Sequence, residues 1–331
     1  MEHRIFQRLG RDVGVVGLGA WQLGADWGTV DERDALATLA AAAAAGVTFF
    51  DTADVYGDGR SEQIIGRFLR DTGGAAAHGP IMVATKMGRR VEQLPEHYVL
   101  ENFLAWNDRS RRNLGVDTLD LVQLHCPPSA VFGSDAVFDA LDSMVADGRM
   151  AGYGVSVETC DQALTAIARP GVASVQIILN ALRLKPLELV LPAAAAAGVG
   201  IIARVPLASG RLSGRYDEHT RFADNDHRTY NRTGAAFDRG ETFSGVDFAT
   251  GLAAVGRLAT LVPAAMSTAQ FALRWIIDQP AVTVVIPGAR SPEQATANAA
   301  TAGFATLPER THSAIAAIYD ELVRPAVHHL W

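Results

Sequence analysis

The chain has 331 residues, of which 49% are hydrophobic and 20% charged, which excludes a disordered polymer and allows a large buried core. Its net charge of −7 argues against nucleic acid as the main partner, because a phosphate-binding surface needs a basic excess, and leaves room for a local basic patch that holds one small phosphate. Met1-Glu2-His3-Arg4 lacks the apolar core of a signal peptide, and the longest uncharged run, residues 35–50, is shorter than the ~20 apolar residues of a membrane span. Two cysteines, Cys126 and Cys160, show no metal-ligand spacing, so a cytoplasmic protein with no metal, no membrane segment and no nucleic-acid partner is expected.

Along the chain, residues 4–15 read as a hairpin with Gly10-Arg11-Asp12 in its middle, followed by a strand over 15–18. A helix over 31–45 opens with Asp31 and closes at Gly46, and a strand over 47–50 follows. The next helix, 61–69, takes Ser61 as its N-cap. Strand 81–85 precedes helix 99–113, which ends before Gly115; strand 119–124 precedes helix 134–147, capped at Gly148. Strand 152–156 leads to helix 159–168, strand 174–178 to helix 187–197, and strand 200–203 to a long polar stretch. Helices near 247–261 and 267–277 come next, then strand 282–286, helix 292–300 and an extra C-terminal helix over 308–323.

Eight βα units are the count of a closed barrel, so the expected architecture is an α/β chain. It is a (β/α)8 TIM barrel plugged at the bottom by an N-terminal β-hairpin, with an extra C-terminal helix, forming one domain over residues 1–331. Residues 216–244, rich in Asp, Arg, Asn, Gly and Thr, lack helical periodicity and read as a mobile lid after the seventh strand.

Four ionisable residues stand at the ends of apolar strands or just beyond. Asp51 follows Val47-Thr48-Phe49-Phe50, Tyr56 lies five positions on, Lys86 follows Ile81-Met82-Val83-Ala84-Thr85, and His125 ends the run from Leu119. Singly, each has a plain structural reading: a cap, a loop aromatic, a solvated charge, a buried histidine. Together they form one proton relay, built where β/α barrels place their active sites.

Gly17-Leu-Gly-Ala-Trp21, Phe50-Asp-Thr-Ala-Asp-Val-Tyr-Gly57, Ala84-Thr-Lys86, Leu121-Val-Gln-Leu-His125, Gly154-Val-Ser156 and Val285-Ile-Pro-Gly288 occur in order across nearly the whole chain. With this set the sequence resembles the aldo-keto reductase superfamily. Pro206-Leu207-Ala208-Ser209-Gly210 is similar to a segment of its bacterial and potassium-channel β-subunit-like branches.

The resemblance implies that Asp51, Tyr56, Lys86 and His125 are catalytic, with Tyr56 the proton donor. Lys86 would lower the phenol pKa, Asp51 would hold Lys86 charged, and His125 would hydrogen-bond the carbonyl oxygen. It implies NADPH as cofactor, with NADH possible. Ser156 and Gln176 would hold the nicotinamide carboxamide, and Pro206, Leu207 and Ser209 would run along the pyrophosphate with Arg215 as a second cation. Gly288, Arg290, Gln294 and Asn298 would hold the adenosine end, with Arg290 on the 2′-phosphate, while Gly19, Ala20, Trp21, Asp51 and Arg204 would also touch the cofactor. Trp21, Trp27, Tyr56 and His125 would wall the substrate pocket.

Three positions depart from the family pattern: Arg204 stands for Tyr or Trp, Val157 for Asn or Arg, and Ala297 for Glu. Neither Gly14-Val-Val-Gly17-Leu-Gly19 nor Gly152-Tyr-Gly154 has the spacing of a dinucleotide-binding glycine motif. The expected function is NADPH-dependent reduction of a small aldehyde, ketone or sugar-type carbonyl. Alternatives are a polyol or aldose dehydrogenase, or a cofactor-sensing regulatory subunit.

Overall fold

The structure is a computed structural model describing residues 1–24, 30–73, 75–76, 79–224 and 226–331. Trp27, expected in the substrate pocket, lies outside the described residues. The chain opens with two antiparallel strands, β1 (His3–Phe6) and β2 (Arg11–Gly14). Eight parallel strands follow: β3 (Leu18–Gly19), β4 (Phe49–Asp51), β5 (Met82–Met87), β6 (Leu121–His125), β7 (Tyr153–Ser156), β8 (Val172–Ile178), β9 (Gly200–Arg204) and β10 (Val282–Val285).

They pair in sequence order, and bridges Val16 to Val285 and Gly19 to Gly288 join the last strand to the first. Backbone hydrogen bonds from Gly17 N–H to Val285 O (2.8 Å) and from Gly19 N–H to Pro287 O (3.1 Å) complete the closure. The fold is therefore the expected TIM barrel.

The hairpin seals the bottom. Phe6 and Val13 join the barrel-interior cluster of Phe49, Met82, Ala84, Leu121, Ile202, Val284 and Ile286. A side chain at Gly200 would start 2.2 Å from the Phe6 ring, so this strand opening admits only hydrogen there. Arg4 donates to Ile277 O and Val282 O, and Arg8 to Arg169 O, Val172 O and Ala197 O. These bonds satisfy carbonyls at the barrel's lower rim.

The hairpin turn differs from expectation. It is a 3-10 turn over Gln7–Leu9 closed by Gly10 at φ 60°, and Arg11 and Asp12 already belong to β2.

Several helix starts follow the capping chemistry in the sequence. Asp31 caps Glu32–Ala44, and Thr159 and Ser267 form capping boxes with Gln162 and Gln270. Ser61 does not cap. The helix is Arg60–Thr72 with Gly59 as N-cap, while the buried Ser61 hydroxyl donates to Ala20 O (2.9 Å) and accepts from Thr52 (2.8 Å). It ties the first barrel strand's loop to the second's.

The C-terminal helix Glu309–Ile318 widens to a π turn over Tyr319–Val323 and continues through Arg324–Val327. Trp331 then lies 3.9 Å from the Arg183 guanidinium. Among the described residues, no helix is long and apolar enough to cross a membrane.

Candidate active site

Strand register brings the predicted polar groups to one level. Asp51 pairs with Ala84, Lys86 with Gln123, and His125 with Ser156, which in turn pairs with Gln176. Tyr56 returns over them on the turn after β4. That turn needs a glycine: Gly57 has φ 58°, and a side chain there would meet Gly24 O at 2.2 Å.

Lys86 is 1% exposed, and its Nζ donates to Asp51 Oδ1 (2.5 Å), Thr52 O (2.8 Å) and Tyr56 Oη (3.3 Å). An ammonium has three hydrogens, and all are used. The Tyr56 oxygen thus accepts from Lys86, which leaves its own hydrogen for another partner. The Tyr56 ring stacks on Trp21 (centroids 5.8 Å, 21°) and meets His125 edge-on (5.8 Å, 83°).

Burial decides the protonation states. Desolvation pushes the Tyr56 phenol above its ordinary pKa, Lys86 opposes that, and Asp51 and Glu241 add to it. The sequence led us to expect a lowered phenol pKa. The net direction is upward because Asp51 offsets the Lys86 charge beside a desolvated ring. Burial alone would pull Lys86 down, but Asp51 and Tyr56 outweigh it and hold the ammonium. Burial, together with the cations Arg89, Lys86 and Arg204, pushes His125 well below the usual imidazole range, so the ring is neutral.

Arg204 is held by its neighbours. Nη2 donates to Glu158 Oε2 (2.9 Å) and Val157 O (3.1 Å), and Nη1 lies 3.3 Å from Glu241 Oε1. Arg89 meets the same carboxylates at 3.4 and 3.6 Å, so two cations face two carboxyl groups, and burial together with Glu158 pushes Glu241 above the usual carboxylate range. Cys126, its thiol pushed up to about 12 by burial and Glu158, lies against this cluster. Both terminal nitrogens of Arg204 are thus committed inside the protein.

A cavity of about 460 Å³ opens over these groups, within the ~300–1,000 Å³ usual for small-molecule sites. Gly19, Ala20, Trp21, Asp51, Tyr56 and His125 line it, together with Ser156, Gln176 and Arg204. Pro206, Leu207, Ser209 and Arg215 form a flank, and Gly288, Arg290, Gln294 and Asn298 complete the lining, with Gly288 beside Gly19 across the closing bridge. Lys86 sits behind this wall.

Some of the lining residues already have internal duties. Ser209 donates to Glu241 O (3.0 Å) and accepts from Phe243 N–H (3.1 Å). Gln294 accepts from Arg290 N–H (2.8 Å), and Asn298 donates to Gly288 O (3.3 Å), bracing the turn before helix Pro292–Ala299. The Arg290 and Arg215 side chains are exposed and have no ion-pair partner among the described residues. Val205, Ala208 and Ser209 have φ of 50°, 46° and 56°, strain concentrated in the flank itself.

Sequence reasoning missed Gln22, Ser267 and Gln270, which also line the cavity, and gave no individual role to Tyr216, Arg228 or Glu241 of the long loop. The Ser267/Gln270 capping box is visible in the sequence, but its place at the cavity rim is not. The loop itself is folded, with a helix at His227–Tyr230 and turns at Arg239–Glu241 and Phe243–Gly245. Buried Asn231 braces it, accepting from Ala236 N–H (2.9 Å) and Phe237 N–H (3.0 Å).

A closed β/α barrel with ionisable groups gathered at the C-terminal strand ends over a small-molecule cavity is the arrangement of a barrel enzyme's active site. The chain belongs to the aldo/keto reductase family, whose family model matches residues 15–320. It is 28% identical over 299 residues to aldo-keto reductase YhdN of Bacillus subtilis, covering 89% of this chain and 86% of that one. It is 26% identical over 292 residues to aldo-keto reductase yakc [NADP(+)] of Schizosaccharomyces pombe, covering 86% and 82%. Among solved structures, the glycerol dehydrogenase AKR11B4 of Gluconobacter oxydans aligns with a TM-score of 0.76 and 27% identity, covering 95% of this chain and 93% of that one.

Proposed function

We propose that this protein reduces the carbonyl of a small aldehyde, ketone or sugar to an alcohol with NADPH, and that Tyr56 gives the proton. The observation carrying this reading is the single orientation left to Tyr56: its oxygen accepts from Lys86, so its hydrogen is available to the cavity. A phenol held protonated by burial is an acid ready at neutral pH.

The cavity fits a dinucleotide phosphate in chemistry. Neutral hydrogen-bonding groups, Ser156 and Gln176, line the cavity with Tyr56, and the cations Arg215 and Arg290 line it too. Helix Pro292–Ala299 adds its N-terminal dipole next to Arg290, which favours an anion. NADPH, when bound, supplies the hydride for the carbonyl carbon.

The protein's own part is to orient the carbonyl and handle its oxygen. Neutral His125 donates a hydrogen bond to that oxygen without competing as a stronger acid. Tyr56 then protonates it, and Lys86, fixed by Asp51, stabilises the phenolate left behind. Trp21 stacks on Tyr56 and keeps its ring in place. The relative named for NADP(+) supports the choice of cofactor.

The reverse direction, oxidation of a polyol, is supported by the similarity to a glycerol dehydrogenase. It needs Tyr56 as phenolate, so burial of the phenol sets it toward alkaline pH.

The test is NADPH consumption against a panel of aldehydes, ketones and aldoses, run beside NADH. Tyr56→Phe should lose turnover on the order of 10²–10⁴ with NADPH affinity retained. A folded Tyr56→Phe protein with full turnover sinks the assignment.

A further inference from the structure

Beneath the proton relay lies a pair of amides, Gln176, which faces the cofactor cavity, and Gln123, which has no role in the catalytic scheme. Gln123, in the middle of β6, is fully buried, and Gln176 of β8 reaches the cavity. Gln176 Nε2 donates to Asp51 Oδ2 (2.7 Å) and to Gln123 Oε1 (3.2 Å). Gln123 Nε2 donates to the same Asp51 Oδ2 (3.2 Å).

Asp51 fixes which way both amides face. Its carboxylate is paired with the Lys86 ammonium and only accepts hydrogen bonds, so each amide must turn its NH2 toward it. The two hydrogens of Gln176 are then consumed, one by Asp51 and the other by Gln123. What Gln176 offers the cavity is its carbonyl oxygen, an acceptor.

We propose that Gln123 is a positioning residue. By taking the second amide hydrogen of Gln176, it holds the Gln176 carbonyl oxygen toward the cavity, and the site selects a ligand headgroup bearing an N–H donor. Applied to the nicotinamide cofactor, on whose assignment this inference rests, the selected group is the carboxamide NH2. A headgroup with only acceptors, or with a carboxylate, faces an oxygen backed by the Asp51 charge. Without Gln123, one hydrogen of Gln176 is unclaimed and can rotate toward the cavity while the other stays on Asp51. The same carboxylate that orients Lys86 thus also sets the polarity of the headgroup site.

Dissociation constants measured by protein fluorescence test this with four ligands. They are NADP+, its 3-acetylpyridine analogue (no N–H on the headgroup), nicotinic acid adenine dinucleotide phosphate (a carboxylate), and 2′-phospho-ADP-ribose (no headgroup). The wild-type protein should prefer NADP+ over both altered headgroups by roughly tenfold or more, the scale of a lost hydrogen bond with an unpaired acceptor. In Gln123→Met that preference should shrink to within about threefold, with 2′-phospho-ADP-ribose binding unchanged.

An undiminished preference in folded Gln123→Met overturns the inference. If that variant does not fold, the wild-type protein still decides: equal affinity for NADP+ and its acetylpyridine analogue overturns it. Failure of the wild-type protein to bind either NADP+ or 2′-phospho-ADP-ribose overturns the cofactor assignment instead.

Discussion

Arg204 Nη1 lies 3.3 Å from Glu241 Oε1, and this buried contact joins the end of β9 to the long loop that covers the cavity. Arg204 is both a cavity wall and an anchor for the loop. Glu158 and Arg89 complete the cluster, so the guanidinium is paired with carboxyl groups inside the protein.

Glu241→Gln should loosen that anchor. Removing one charge from a buried pair costs roughly 1.5–3 kcal/mol of local stability. Amide exchange within residues 216–244 should therefore accelerate by about tenfold or more, while exchange in the barrel strands stays as it is. Exchange in the loop equal to wild type would show that Ser209 and Asn231 hold it unaided.

Arg290→Met should weaken NADPH binding by roughly ten- to a hundredfold, the scale of charged hydrogen bonds, and leave NADH binding nearly unchanged. Arg290 lines the cavity, has no ion-pair partner among the described residues, and precedes the N-terminus of helix Pro292–Ala299. Fluorescence titration with both cofactors decides it. Equal loss for the two, or none for either, means that Arg290 does not read the 2′-phosphate.

The pH dependence of reduction should show no histidine limb. His125 is held well below the ordinary ~6.5, so acidification through that value leaves it neutral. Burial raises Tyr56 above its ordinary ~10, so reduction should persist into the alkaline range while alcohol oxidation climbs with pH. A loss of reduction as pH rises through ~6.5 that disappears in His125→Gln would show that the imidazolium is the working form.

Asp54 makes a separate prediction about stability. Both its carboxylate oxygens are buried without a hydrogen-bond partner among the described residues, and burial, aided by Glu62, raises its pKa to about 8. An unfolded aspartate releases its proton near ~4, so between about pH 4 and 8 the native state binds the extra proton. Its contribution to stability therefore falls as pH rises through that window and levels off above it. Asp54→Asn cannot ionise, so its melting temperature relative to wild type should rise steadily from pH ~4 to ~8. A difference independent of pH would mean that Asp54 is ionised in the folded protein.

The sequence alone determined the barrel and the residues at its mouth. Alternating apolar runs and helices, punctuated by Gly46, Gly115 and Gly148, allow little else than eight βα units, and a strand's end is where a side chain leaves the core. Asp51, Lys86 and His125 were legible for that reason, and Tyr56 through its place in a family motif.

Tertiary structure alone decided how those groups are charged and braced. The direction of the Tyr56 pKa depends on burial and on Asp51 cancelling Lys86, sums over distances that the sequence does not contain. Gln123 reads as one more polar residue in a strand until barrel closure sets it against Asp51 and Gln176. Glu158 and Glu241 are unremarkable loop acids until the fold wraps them around Arg204. Local pattern fixes which element a residue occupies and which face it takes, whereas contacts between residues far apart in sequence exist only once the chain has closed on itself.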